Sequence, residues 1–174
     1  MKSPFILLCL LIVLFPASSP AQAPATWKDD FVDHMAGTWK MEGQVMGRPA
    51  HHELQAEWVL NHQFLRIHEK TSADAPASES RYEAMWFLGY DAVSERYVLH
   101  LLDVFGTRYS ETLGYGVRDG EAIRFVFEYP DGPFHTTYRR LAEKDSWQWR
   151  MEQKDKDGNW TSFADLRLTR LSKP

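Results

Sequence analysis

Residues 96–129, RYVLHLLDVFGTRYSETLGYGVRDGEAIRFVFEY, decide the fold. Apolar side chains recur at every second position in Tyr97, Leu99 and Leu101, and again in Ile123, Phe125 and Phe127, which is the period of a strand with one covered face. Phe105-Gly106 and Asp119-Gly120 read as tight turns between antiparallel strands. With Phe105-Gly106 as a two-residue loop, Val104 faces Thr107 and Asp103 faces Arg108; with Asp119-Gly120 as another, Arg118 faces Glu121. Residues opposite one another share a side, so one face collects Tyr97, Leu99, Leu101, Asp103, Arg108, Ser110, Thr112, Gly114, Ile123, Phe125, Phe127 and Tyr129. The other collects His100, Glu111, Arg124 and Glu128. The first face is the more apolar and is assigned to the interior.

The same rule carries outward. The Asp91 to Glu95 turn adds Tyr82, Ala84, Trp86, Leu88 and Tyr90 to the inner face, and the Pro130 to Pro133 turn adds Phe134, Thr136, Tyr138 and Arg140. Around Asp157-Gly158, Trp147, Trp149 and Met151 face Leu168, Leu166 and Ala164. From Gly37 onward turn signals arrive every ten or so residues and separate ten candidate strands. Links this short exclude parallel crossovers. The fold class expected is all-β: an antiparallel up-and-down barrel of about ten strands, closed to remove its edges. One stretch before it reads as helix, with Thr26 as N-cap and Trp27, Phe31 and Met35 four residues apart before Gly37. The organisation expected is a signal peptide at 1–23, a short capping helix at 24–36 and the barrel at 37–171.

The leader rests on Lys2, the apolar run Phe5 to Phe15, Pro16 to Pro20 and the small-x-small triplet Ala21-Gln22-Ala23, which together predict cleavage near Ala23 and a secreted or periplasmic product. The run is too short to span a hydrocarbon core, so no integral membrane span is expected. Cys9, the one cysteine of 174 residues, leaves with the leader. The remaining chain has no thiol for a disulfide, a nucleophile or a zinc site. The charge of −4 becomes −5 without Lys2, and no basic stripe offers a phosphate backbone a surface, so nucleic acid is not an expected partner.

The interior carries the functional reading. A barrel of this size is filled by its own side chains or holds one small molecule. Trp39, Trp86, Trp147 and Trp149 serve either as core or as walls. Asp103 and Arg108, both inward and opposed, neutralise one another or form a site. Arg140 has no inward acidic partner and lies two residues from Tyr138 on the same face, so the pair could clamp a ligand carboxylate. The ligand-binding candidates are Trp39, Tyr82, Trp86, Tyr97, Asp103, Arg108, Phe125, Phe127, Tyr138, Arg140 and Trp149. No catalytic residue is assigned. The seven histidines contain no HExxH, and the adjacent His51 and His52 point to opposite faces, so no metal site is assigned either. His100 is placed opposite Glu111 on the solvent side.

Gly37-Thr38-Trp39 after a short helix resembles the G-x-W opening of lipocalin-like (calycin) barrels, in which the tryptophan closes one end. With Glu57 to Leu60, Phe64 to Arg66, Leu88 to Asp91, Leu102-Asp103 and Gly106-Thr107, and the closing strand Ala164 to Arg170, residues 30 to 171 resemble a bacterial secreted family catalogued as a domain of unknown function with that fold. The resemblance implies a barrel and supports Asp103 as a family position; it brings no activity. Fatty-acid-binding barrels are similar in strand number and grip carboxylates with an arginine and a tyrosine, here in the opposite order. Haem-binding barrels of the nitrobindin type share the architecture and need an inward axial histidine, for which His52 or His68 are the candidates. The reading is an exported barrel, monomeric or weakly dimeric and without a cofactor, that carries a small hydrophobic, possibly carboxylate-bearing, molecule. The alternatives are a cofactor-independent isomerase or hydrolase using Asp103, or a haem binder.

Overall fold

The computed structural model describes residues 26–142 and 145–173. The leader expected at 1–23, Cys9 included, lies outside the described residues. The strands are β1 (Gly37–Val45), β2 (Arg48–Val59), β3 (Phe64–Thr71), β4 (Glu83–Asp91), β5 (Arg96–Asp103), β6 (Gly114–Asp119), β7 (Ala122–Tyr129), β8 (Gly132–Leu141), β9 (Ser146–Lys154) and β10 (Trp160–Ser172), with one-turn helices α1 (Asp30–Asp33) and α2 (Thr107–Ser110). Each strand pairs antiparallel with the next, and β10 returns to β1, so the sheet closes on itself as a barrel. This is the all-β barrel that the turn spacing predicts. No helix among the described residues is long and apolar enough to cross a membrane.

Alternation sets the core. Trp147, Trp149 and Met151 stand opposite Leu168, Leu166 and Ala164, as the Asp157-Gly158 turn predicts, and all six are buried. Leu65, Leu88, Leu99, Ile123 and Phe125 complete a dry inner layer from the other strands.

Three local expectations are corrected. The helix N-cap is Asp29, not Thr26: its carboxylate accepts the N–H groups of Phe31 at 2.9 Å and Val32 at 3.1 Å, so the helix starts three residues later and makes a single turn. Trp27 precedes the helix and packs edge-on to Trp58, ring centroids 5.2 Å apart.

The Phe105-Gly106 hairpin does not form. A two-residue turn of the favoured kind needs left-handed backbone at both positions, and Gly106 adopts it (φ 83°) while Phe105 does not. Instead the Asp103 carboxylate accepts the Phe105 N–H at 2.9 Å, the Asp103 carbonyl accepts the Gly106 N–H at 3.1 Å, and the chain turns into α2. β6 therefore starts at Gly114 and pairs with β5 at Tyr97–Gly116, Val98–Tyr115 and Leu99–Gly114 alone. Leu99, expected opposite Thr112, meets Gly114 two residues on. A slip of two keeps the face, so the inner set of β5 stands, but Arg108, Ser110 and Thr112 leave the sheet. The His100–Glu111 pair is lost as well: His100 Nε2 donates to the Ser110 carbonyl at 2.7 Å and fastens α2 over the unpaired half of β5.

The third turn, expected at Asp119-Gly120, forms one residue later, with Asp119 opposite Ala122 and Arg118 opposite Ile123. Parity again survives the shift.

The α1 end is sealed. Trp39 donates its indole N–H to the Met35 carbonyl at 2.8 Å, and the Arg170 guanidinium lies 3.9 Å over the Trp39 ring. The same guanidinium donates to the carbonyls of Ala36 at 2.7 Å and His34 at 2.5 Å and to Asp145 at 2.5 Å. These bonds satisfy the free carbonyls after a one-turn helix and lock it across the barrel.

Candidate ligand-binding site

The site lies toward the opposite end, where the 72–82 segment, α2 and the β7–β8 turn form the rim. Trp39, Trp147 and Phe31 near α1 have almost no exposure, whereas Tyr82, Tyr129 and Phe134 at this end are half-buried, which we read as a mouth. Its wall is aromatic. Tyr129 stacks on Phe127 at 5.3 Å and meets Tyr109 edge-on at 5.3 Å, and Phe105, 70% exposed, leans toward Tyr82 at 6.0 Å.

Beneath this wall the alternation of β2 and β3 turns two polar residues inward. Glu69 follows Leu65 and Ile67 on the covered face of β3, and His52 precedes Leu54 on that of β2; both are buried. Nδ1 of His52 lies 2.6 Å from Glu69 Oε1, and Trp86 Nε1–H donates to Oε2 at 3.0 Å. Both oxygens of the buried carboxylate thus hold donors, which is what its burial requires. Nε2 of His52 faces Glu79 Oε1 at 3.6 Å. Glu79, on the 72–82 segment, also accepts the His51 backbone N–H and faces His51 Nδ1, both at 2.8 Å. Burial alone would raise the Glu79 carboxyl, but the His51 bonds outweigh it and hold it below the ordinary range.

Tyr82 joins this cluster to the mouth. Its ring stacks on His52 with centroids 5.6 Å apart, and its hydroxyl donates to Asp103 Oδ2 at 3.4 Å. Asp103 pairs with Ala84, and Ala84 with Glu69, so the two acids stand in one row with a strand between them, about 10 Å apart at the backbone. Three tyrosines register this field. Tyr82 is held far above the ordinary range by burial and then by the charges of Glu69 and Asp103; Tyr129 is raised by burial, Asp103 and Tyr109; Tyr138 by burial, Glu69 and Tyr82.

Deeper still, Thr136 Oγ1, the Tyr138 hydroxyl and Trp149 Nε1 are buried without a hydrogen-bond partner among the described residues, as is Trp147 Nε1 beside Phe31 at the α1 end. The first three are contiguous with the acid cluster: Tyr138 packs on Trp149 at 4.7 Å, and Trp149 meets Trp86 edge-on at 5.0 Å. An unpaired buried donor costs about 1–3 kcal/mol, so three side by side call for an acceptor.

Of the eleven sequence candidates, Tyr82, Trp86, Asp103, Phe127, Tyr138 and Trp149 come together here, with Phe125 packed behind Tyr138 at 6.1 Å. Trp39 belongs to the sealed end, and Tyr97 is tied there by donating its hydroxyl to Asp29 at 2.6 Å. Arg108 does not oppose Asp103: released from the sheet with α2, it pairs with Asp131 at 2.5 Å on the exposed rim. Arg140 does not join Tyr138 either. It lines a depression of about 390 Å³ at the α1 end with His34, Glu121, Asp145 and Lys173, because two residues along β8 carry it from mid-barrel to the far rim. His68 turns outward to Glu83 at 2.6 Å, and both ring nitrogens of His52 face carboxylates, so neither offers a free nitrogen to a haem iron. Glu69, Glu79, Thr136 and His52 as a carboxylate partner were not among the candidates. The alternation Leu65, Ile67, Glu69, Thr71 places Glu69 inside from sequence alone; Glu79 sits in a segment with no periodicity to read.

Residues 26–170 match the model of a family described as "Protein of unknown function (DUF1579)". No curated protein matches the sequence. Among solved structures, the crystal structure of Rv2717c from M. tuberculosis is similar with a TM-score of 0.53 and 15% sequence identity, covering 81% of this chain and 95% of that one, a likeness of fold alone.

Proposed function

The chain belongs to the DUF1579 family, whose description carries no activity, and from the chemistry of its interior we propose that it is an exported barrel that binds a small, largely hydrophobic molecule through the mouth opposite α1. The observation that carries this reading is the set of unpartnered buried donors, Thr136, Tyr138 and Trp149, beneath an aromatic rim. A filled structural barrel gains nothing from unpaired polar groups, whereas a ligand presenting a carbonyl, ether or hydroxyl oxygen to them recovers their hydrogen bonds on binding. Aromatic walls with a few converging polar atoms are the usual make-up of a small-molecule site. The leader-like sequence at 1–23, with its apolar run and Ala21-Gln22-Ala23, supports the exported part of the reading.

A carboxylate clamp no longer supports the choice of ligand, since Arg140 and Tyr138 do not converge. Nor does the interior favour a general base: both Glu69 oxygens hold donors, and Asp103 accepts from the Phe105 amide and Tyr82.

Native mass spectrometry with an absorption spectrum, on protein recovered from its host's envelope, tests the reading. A discrete added mass that organic solvent extracts is the expected result. The bare polypeptide mass, unchanged after incubation with candidate hydrophobic molecules, would overturn it.

A further inference from the structure

The formal charges that face the mouth are predominantly acidic. Asp103 Oδ2 accepts the Tyr82 hydroxyl, Tyr129 feels the same charge, and Glu69 stands in the same cross-strand row behind Ala84. Of the guanidiniums on the rim, Arg108 is spent on Asp131 and Arg81 donates to the Ser72 carbonyl at 3.3 Å, while His52 is held between Glu69 and Glu79. Asp103 itself is underused, since Oδ2 receives one long bond at 3.4 Å from Tyr82. A carboxylate at an aromatic-walled mouth attracts an organic cation by charge, while the cation's apolar body packs on the rings. The same field repels an anion.

We propose that the ligand is an apolar amine, its protonated nitrogen against Asp103 between Tyr82 and Tyr129 and its body directed toward the unpartnered Tyr138 and Trp149. This rests on the ligand-binding reading above and reverses the charge that the Tyr138–Arg140 spacing suggests. The raised tyrosines agree with this placement: burial is the main cause in both Tyr82 and Tyr129, and the charge of Asp103 adds to it. The Tyr138 hydroxyl, which also feels the charge of Glu69, is buried without a hydrogen-bond partner among the described residues.

The test compares three probes of one hydrocarbon body, naphthylmethylamine, naphthalenemethanol and naphthoate, by calorimetric titration at neutral pH. The amine is expected to bind at least about tenfold more tightly than the alcohol, the carboxylate weakest, with the amine's advantage shrinking as salt is added. Asp103→Asn keeps an oxygen for the Phe105 N–H and should cost the amine about tenfold more affinity than it costs the alcohol, removing the amine's advantage. Naphthoate binding as tightly as the amine, or an amine affinity indifferent to D103N, would overturn the proposal and leave the ligand-binding reading standing. Failure of all three probes to bind would remove both.

Discussion

Nδ1 of His52 lies 2.6 Å from Oε1 of Glu69, and both side chains are more than nine-tenths buried. Removing one partner of such a pair leaves a buried charge with an unmet bond. His52→Ala should therefore lower stability by about 3 kcal/mol in urea denaturation. Glu69→Gln, which keeps an acceptor for the Trp86 N–H, should cost less. A loss below about 0.5 kcal/mol for His52→Ala would mean that Trp86 alone satisfies the acid.

Arg170 ties the sealed end with bonds to Ala36, His34 and Asp145 and a face contact to Trp39. A lysine supplies one compact charge in place of this planar fork, so Arg170→Lys should cost about 2 kcal/mol. The pH dependence gives a second readout. The hydrogen bond from Arg170 holds the Asp145 carboxyl below its ordinary range, and burial opposes this only in part. A depressed carboxylate stabilises the fold above about pH 4 and the stability is lost as pH falls through the lowered value. Thermal melts of the wild type should show this acid decline and those of Arg170→Lys a smaller one.

How much of this was legible follows from which signals are periodic. Trp147, Trp149 and Met151 opposite Leu168, Leu166 and Ala164 could be read off because Asp157-Gly158 fixes a register that two strands then repeat. The β5–β6 register could not, since Phe105 refuses the left-handed backbone that an Xaa-Gly turn demands of both residues. Face assignments outlived both register errors because each slip was of two residues, the strand's own period. What failed was each pairing of polar side chains: Arg108 with Asp103, His100 with Glu111, Arg140 with Tyr138. Partners depend on register and on loops, and the bonds that matter most, such as Arg170 to His34 across 136 residues, leave no local trace.

Gly114 answers a steric demand. A Cβ built there would stand 2.5 Å from the buried Phe127 ring, one wall of the mouth. The ring is also stacked on Tyr129 and has little room to retreat. Gly114→Ala should cost about 1–3 kcal/mol by overpacking and weaken ligand binding by displacing the ring, measured by urea unfolding and titration of the amine probe. An unchanged midpoint would show that the β5–β6 gap absorbs the methyl group.

Four of the seven tyrosines, Tyr82, Tyr97, Tyr129 and Tyr138, are held above the ordinary range, burial being the largest cause in each. A group whose folded pKa is raised costs nothing while both states keep the proton, below about pH 10, and its contribution is lost as pH climbs through the folded value. Ultraviolet titration should therefore show at most three phenolates forming from the native protein, and the remaining four appearing together with alkaline unfolding. Stability should be flat across neutral pH as far as these groups are concerned and fall steeply above about 10. Seven independent titrations near the ordinary value would contradict a dry interior around Glu69.

Tyr138 separates stability from function. Its hydroxyl is wholly buried and unpartnered, so the fold carries a desolvation cost with no return. Tyr138→Phe keeps the ring against Trp149 and Phe125 and removes that cost. Stability should rise by about 1 kcal/mol in urea denaturation, while affinity for an oxygen-bearing probe such as naphthalenemethanol should fall about fivefold to tenfold for want of the hydrogen bond. Opposite signs are the signature of a residue retained for a ligand. A hydroxyl that served packing alone would lower stability when removed and leave binding untouched. That outcome would return Thr136, Tyr138 and Trp149 to the barrel's core.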